Sequence, residues 1–156
     1  MKTSRYLAAL LLTGALVAGP VLADKQIDDA VFARQSLMKL IGYNVGLLGG
    51  MAQGKVPYDA DAARNAAENL TALSSLHLLR MFPEGSDNVA LTGATRAKPE
   101  IWENTSDFLA KFAALNKASA AMVEPAGTDL AALQSAIGAV GGACGACHKI
   151  YRGPKN

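Results

Sequence analysis

Apolar residues recur along this chain at three- and four-residue intervals, and glycine and proline clusters cut that pattern into four long segments. The first predicted helix starts near Asp28 or Asp29 and runs to about Gln53, with Gly54 as its stop. Val31, Met38, Ile41, Val45 and Leu48 form one apolar stripe along it, with Leu37, Leu40, Leu47 and Met51 beside it. Pro57 interrupts the chain, and Asp59 or Asp61 caps a second helix expected to reach about Arg80. Its packing side carries Leu70, Leu73, Leu76 or His77, and Leu79 or Arg80. Phe82 to Pro99, with Pro83, Gly85 and Gly93, reads as a loop of a length that usually serves a function. Pro99-Glu100-Ile101-Trp102 closes it as a short anchoring turn. A third helix, capped near Thr105 or Ser106, presents Phe108, Phe112, Leu115 and Met122 at core spacing until Pro125-Ala126-Gly127. Thr128 is the expected N-cap of a fourth, from Asp129 to about Tyr151, with Leu130, Leu133, Ile137, Val140 or Gly141, and Cys144 facing inward. No segment alternates as a strand does. The pattern predicts an all-α fold, an antiparallel four-helix bundle.

Gly42, Gly46, Gly49 and Gly50 sit badly in this scheme, because glycine inside a helix costs up to ~1 kcal/mol relative to alanine. Their use is to let a large flat group, or another helix, approach the backbone closely.

The N-terminus changes the charge picture. Lys2 and Arg5, an apolar run from Tyr6 to Val17 and the small residues up to Ala23 have the order of a secretory signal peptide, too short and too broken by Gly19 and Pro20 to span a membrane comfortably. The expected division is therefore a signal peptide, residues 1–23, cut after Ala23, and one bundle domain, residues 24–156. The chain carries 15 Lys+Arg and 13 Asp+Glu. Losing Lys2 and Arg5 brings the basic count to 13, so the mature chain is formally neutral before any cofactor. No polybasic surface for nucleic acid is expected.

The chemistry concentrates in Cys144-Gly145-Ala146-Cys147-His148, the C-x-x-C-H attachment signal for haem c. Two thiols three residues apart lie on roughly one side of a helical turn, where both can form thioethers to one porphyrin. His148 then falls beneath the ring as an axial ligand. A redox dithiol would accompany a βαβ pattern, and a zinc site needs two more soft ligands, whereas His77 is the only other Cys or His. Haem c, one per chain and near the C-terminal end of the bundle, is the expected cofactor. Its attachment outside the bacterial cytoplasm agrees with a periplasmic, exported protein.

Taken together, these residues resemble the class II cytochromes c, the cytochrome c′ family, over the whole mature chain. The features that carry the resemblance are the C-x-x-C-H inside the last helix, Arg34-Gln35-Ser36, Gly54-Lys55-Val56-Pro57-Tyr58-Asp59, Lys98-Pro99-Glu100-Ile101-Trp102, Gly138-Ala139-Val140-Gly141 and Tyr151-Arg152. The resemblance implies Cys144 and Cys147 as thioether anchors and His148 as the proximal ligand. It implies Arg34 and Gln35 as contacts to the haem propionates, Arg96 and Ala97 on a loop along the haem edge, and Arg152 as a basic residue near the proximal imidazole.

Counting back from Pro57-Tyr58-Asp59 places Met38 where the family turns a first-helix residue toward the distal iron face. In the low-spin branch a Met there ligates the iron, and the local pattern Leu37-Met38-Lys39-Leu40-Ile41-Gly42 leans that way. The leading expectation is accordingly a periplasmic electron carrier held by His148 and Met38, exchanging electrons with redox proteins as donor and acceptor. The alternative is a five-coordinate, high-spin protein that binds nitric oxide or carbon monoxide, with Met38 as a steric gate. No catalytic constellation points to an enzyme. The small residues Ala60, Ala62, Ala63, Ala66 and Ala67 permit a homodimer contact of the kind common in the family.

Overall fold

The computed structural model describes residues 20–154, with side chains from residue 24 onward. The charged and apolar stretch of the expected signal peptide lies outside the described residues. Four long helices, α1 (Pro20–Ala52), α2 (Ala60–Ser74), α4 (Thr105–Ala126) and α5 (Leu130–Tyr151), build the bundle, with a one-turn helix α3 (Glu100–Glu103) before α4. No strand forms among the described residues. The antiparallel four-helix bundle expected from the apolar periodicity is the fold observed.

Its element boundaries differ from the expected ones in instructive ways. α1 starts well before Asp28, because proline is favoured in a first helical turn and Lys25 pairs with Asp29 one turn on, at 2.7 Å. Its end is as expected. Gly54, at φ +68°, turns the chain while the Lys55 amide donates to the Gly50 carbonyl at 2.8 Å. α2 begins at the predicted Asp59 cap, whose side chain accepts from the Ala62 amide. It stops at Ser74 rather than near Arg80. The hydroxyls of Ser74 and Ser75 donate back to Leu70 and Ala72 carbonyls, competing with continuation of the helix, and a 3₁₀ turn at Leu79–Met81 follows. The cap of α4 falls on Asn104, one residue before the predicted Thr105, and that of α5 on Asp129, one residue after the predicted Thr128.

The core threads the bundle through Leu37, Ile41, Leu48, Leu70, Phe108, Phe112, Leu115, Met122, Leu133 and Val140. On α1 the buried stripe runs Val31, Arg34, Leu37, Ile41, Asn44, Leu48 and Met51. That rotates the helix relative to the expected stripe: Leu37 is buried, whereas Met38 is 36% and Leu40 53% exposed. Met38 is therefore no core filler. Ala63, Ala66 and Ala67 are buried in the chain's own core, whereas Ala60 and Ala62 are half-buried.

One buried group opposes the fold. The Ser119 hydroxyl, in the middle of α4, is fully enclosed and has no hydrogen-bond partner. Removing an orphaned hydroxyl relieves its desolvation cost. Ser119→Ala should raise stability by about 1 kcal/mol, seen as a rise in Tm of about 3 °C by calorimetry.

Candidate functional site

The walls of the site are α1 and α5, which run antiparallel. Gln134 Nε2 donates to the Ala52 carbonyl at 2.8 Å, and Val45, Gly46, Gly49 and Gly50 share a cleft of about 380 Å³ with Ile137 and Gly141. Each step along α1 is matched by a step back along α5. The bond between Gln134 and Ala52 and the cleft shared by Val45 and Gly141 agree on one register; carried at equal rise along both helices, it would bring Met38 level with His148.

The described residues fit a flat apolar group between these walls. A methyl group placed on Gly42, Gly46, Gly138, Gly141 or Gly145 would meet no neighbouring heavy atom within 4 Å. α5 has a mean hydropathy of 1.5 over an 18-residue window, yet only 11% of that window is buried. By length and composition such a helix could cross a membrane. The C-x-x-C-H motif gives its bare apolar surface a different occupant.

Cys144 and Cys147 are half-buried thiols on the inner side of α5, packed against the core, and burial raises the pKa of both. They stay protonated and unreactive at neutral pH until a maturation system presents a partner. His148 stands next to them. Partial burial, aided by the cations of Arg152 and Arg96, pulls its imidazole below the ordinary histidine range. That favours the neutral form, the one whose nitrogen lone pair can bind a metal. Among the described residues no group of three or more His, Cys, Asp or Glu converges as a zinc site would require. His77 lies exposed beyond α2, while Met51 and Met122 are buried in the core.

The loop from Phe82 to Pro99 is tied to both walls. Arg34, 3% exposed, donates to the Met81 carbonyl at 3.2 Å, to Ser86 Oγ at 2.7 Å, to Thr95 Oγ1 at 2.9 Å and to the Ser86 carbonyl. Its guanidinium also stacks on the Phe82 ring, 4.8 Å from the centroid. Burial pushes its pKa down to about 10, opposed by Asp87, so it remains charged at neutral pH. Gln35 Nε2 donates to the Ala94 carbonyl at 2.7 Å. In this structure the side chains of Arg34 and Gln35 both hold the loop. The partners Ser86 and Thr95 had no signal in the sequence, since nothing in their spacing marks them as acceptors for a residue over fifty positions earlier.

The other end of the loop is stitched to the end of α5. Ala97 and Arg152 form an antiparallel bridge, the Gly153 amide donates to the Arg96 carbonyl at 2.7 Å, and Lys98 N donates to the Tyr151 carbonyl at 3.1 Å. Arg96 Nε donates to the carbonyls of Gly153 at 2.8 Å and Pro154 at 3.0 Å. Arg96, Ala97, His148 and Arg152 are therefore brought together at one corner. Tyr151 completes this corner. Its ring is buried against Phe108, and its hydroxyl donates to Asp107 at 2.6 Å.

Burial first, and that hydrogen bond second, push the Tyr151 pKa up to about 12. A phenol that holds its proton more tightly when folded contributes stability that is complete below the unfolded value near 10 and is lost as pH rises through 12. Urea midpoints should fall between pH 9 and 12, and Tyr151→Phe should remove that part of the fall while lowering stability at pH 7 by about 1 kcal/mol.

Comparisons with known proteins converge on one family. A family model described as Cytochrome C′ matches residues 29–152. The cytochrome c-554 of Cereibacter sphaeroides is 45% identical over 150 residues, covering 95% of this chain and 97% of that protein. Among solved structures, cytochrome c′ from Rhodobacter spheriodes superposes with a TM-score of 0.79 at 34% identity, over 83% of this chain and 98% of that one. The nitric oxide complex of a mutant cytochrome c prime from Alcaligenes xylosoxidans superposes with a TM-score of 0.70 at 32% identity, over 83% and 98% of the two chains.

Proposed function

Because this chain belongs to the cytochrome c′ family, with covalently attached haem c as its cofactor, we propose that it is a periplasmic electron-carrying haem protein whose sixth iron position admits a small gas. The haem would supply a one-electron couple between α1 and α5. Cys144 and Cys147 would anchor it to α5, His148, whose neutral form its surroundings favour, would bind its iron, and Met38 on the facing helix would cover the opposite face. The glycines of both walls let the helices close on the two faces without a side chain in the way.

What carries the gas-binding reading is the likeness, at 32% identity, to a cytochrome c prime solved as its nitric oxide complex. The expectation of a permanent Met38–iron bond is the less supported of the two. What keeps it as a second reading is that the Met38 thioether is exposed rather than packed into the core. Residues 1–23 are proposed to be removed on export, with redox proteins as donor and acceptor. A second copy of the chain would find an apolar face on the side of α1 bearing Phe32, Leu40 and Tyr43, which are 71%, 53% and 72% exposed. Electron carriage and gas binding make this a binding and transfer protein, not an enzyme.

Visible spectra of both oxidation states, with and without carbon monoxide, separate the readings. A high-spin spectrum with ready gas binding to the ferrous protein is expected. A low-spin spectrum with a sulfur-to-iron band, unchanged by carbon monoxide, would establish Met38 as the sixth ligand instead.

A further inference from the structure

The described residues include three tyrosines, and each phenol is held differently. Tyr43 stands 72% exposed on α1. Tyr58 donates its hydroxyl to the Ala126 carbonyl at 2.9 Å. Among these three, Tyr151 alone donates to a carboxylate, Asp107 Oδ2 at 2.6 Å, and it is 4% exposed. That separation falls in the range of a charge-assisted O–H···O⁻ bond. The other oxygen of the same carboxylate, Asp107 Oδ1, faces Lys111 Nζ at 3.3 Å.

What a phenol does when an electron is drawn from it depends on where its proton can go. The oxidised ring is far more acidic than the phenol, so the electron leaves readily only when a base already holds the hydrogen. A peptide carbonyl, the partner of Tyr58, is too weak a base to keep that proton. A carboxylate keeps it. The bond from Tyr151 to Asp107 is therefore a proton path one hydrogen bond long. The Tyr151 ring, packed edge-on against Phe108 with centroids 5.4 Å apart, is also shielded from solvent reagents that would consume a radical. Its place on α5 matters equally. Four residues after Cys147, Tyr151 is that cysteine's neighbour on one helix face, at about 5–6 Å between Cβ atoms.

We propose that Tyr151, with Asp107 as its proton acceptor, is a redox-active side chain that gives one electron to a strong one-electron oxidant arriving at the haem slot. The electron passes from the ring to the oxidant, the phenolic O–H bond breaks, and a new O–H bond forms at Asp107 Oδ2. A neutral phenoxyl and a carboxylic acid remain, and the pair has lost one negative charge with the electron. One electron from a small reductant such as ascorbate, with the proton handed back by Asp107, restores both groups. Oxidising equivalents are thereby held at a repairable site instead of at the exposed Met38 thioether. The proposal rests on the reading that Cys147 carries the haem.

The test uses the ferric holoprotein, oxidised by flash-generated tris(bipyridine)ruthenium(III) and followed by freeze-quench EPR. A tyrosyl signal should form in the parent, vanish in Tyr151→Phe, and persist in Tyr43→Phe and Tyr58→Phe. Asp107→Asn, which keeps an acceptor for the hydroxyl but no base, should slow its appearance by about a hundredfold. Cumene hydroperoxide should raise the same signal in the dark, and ascorbate should erase it. A signal that survives in Tyr151→Phe, or forms equally fast in Asp107→Asn, overturns the proposal. A signal with ruthenium and none with hydroperoxide overturns its link to the haem slot. Mass spectrometry of the peptide spanning Cys144 and Cys147 checks the attachment separately: a peptide free of haem refutes that reading whatever the radical assay gives.

Discussion

Arg34→Leu should lower the free energy of unfolding by about 3–5 kcal/mol, the range seen when one partner of a buried charged network is removed. The side chain is 3% exposed and donates to four acceptors, so its loss strands the carbonyls of Met81 and Ser86 and leaves the Ser86 and Thr95 hydroxyls with only Pro83 and Ala97 as partners. Leucine can fill much of the volume but none of the donors. Urea titration of the holoprotein gives the magnitude. Gln35→Ala, which removes a single exposed bond to Ala94, is the matched control and should cost less than about 1 kcal/mol. Arg34→Lys should recover only part of the loss, because one ammonium cannot meet acceptors spread around a planar guanidinium. Equal stability of Arg34→Leu and Gln35→Ala would show that the loop is held by something other than this cation.

Met38→Ala should raise carbon monoxide affinity of the ferrous protein by about tenfold or more, a gain of about 1.4 kcal/mol. On the proposed reading Met38 covers the face opposite His148, and it does not belong to the buried stripe of α1, so truncation would open that face without hollowing the core. Stability should change by well under the about 2–5 kcal/mol typical of a buried methionine. Met38→Leu, close in volume but without a donor, should leave gas affinity within a few-fold of the parent. If affinity instead rises by more than a thousandfold in both variants, the parent iron was closed by the thioether. Laser-flash rebinding measures the rates directly, and unchanged kinetics in Met38→Ala would remove Met38 from the distal face altogether.

The parts of this protein legible in the sequence are those whose physical cause is local. Asp59 caps α2, Gly54 ends α1, and two thiols with a histidine on successive turns specify a haem attachment whatever surrounds them. Met38 entered only by counting along α1 from Pro57-Tyr58-Asp59 by family resemblance, and its role stands as a proposal. What stayed hidden depends on distant groups. Nothing near Arg34 announces that Ser86 and Thr95 will take its donors, and an arginine in an apolar stripe reads as an exposed one until the loop is seen to fold over it. Ser74 and Ser75 ended α2 early by bonding to their own carbonyls, a competition that leucine periodicity cannot register. The alanines of α2 suggested a face for a partner because small residues suit contact between molecules and within one equally well.

The loop from Ser86 to Lys98 holds α1 through Arg34 and α5 through the Arg96–Gly153 and Lys98–Tyr151 bonds. It behaves as a clasp across two jambs, and its contacts bridge long separations in sequence, so they close late, after each helix has formed. A unit fastened in this way also opens as a unit. The slot therefore has a hinge order built into it: releasing the clasp slackens both walls together, while the α2–α4 half of the bundle keeps its packed core.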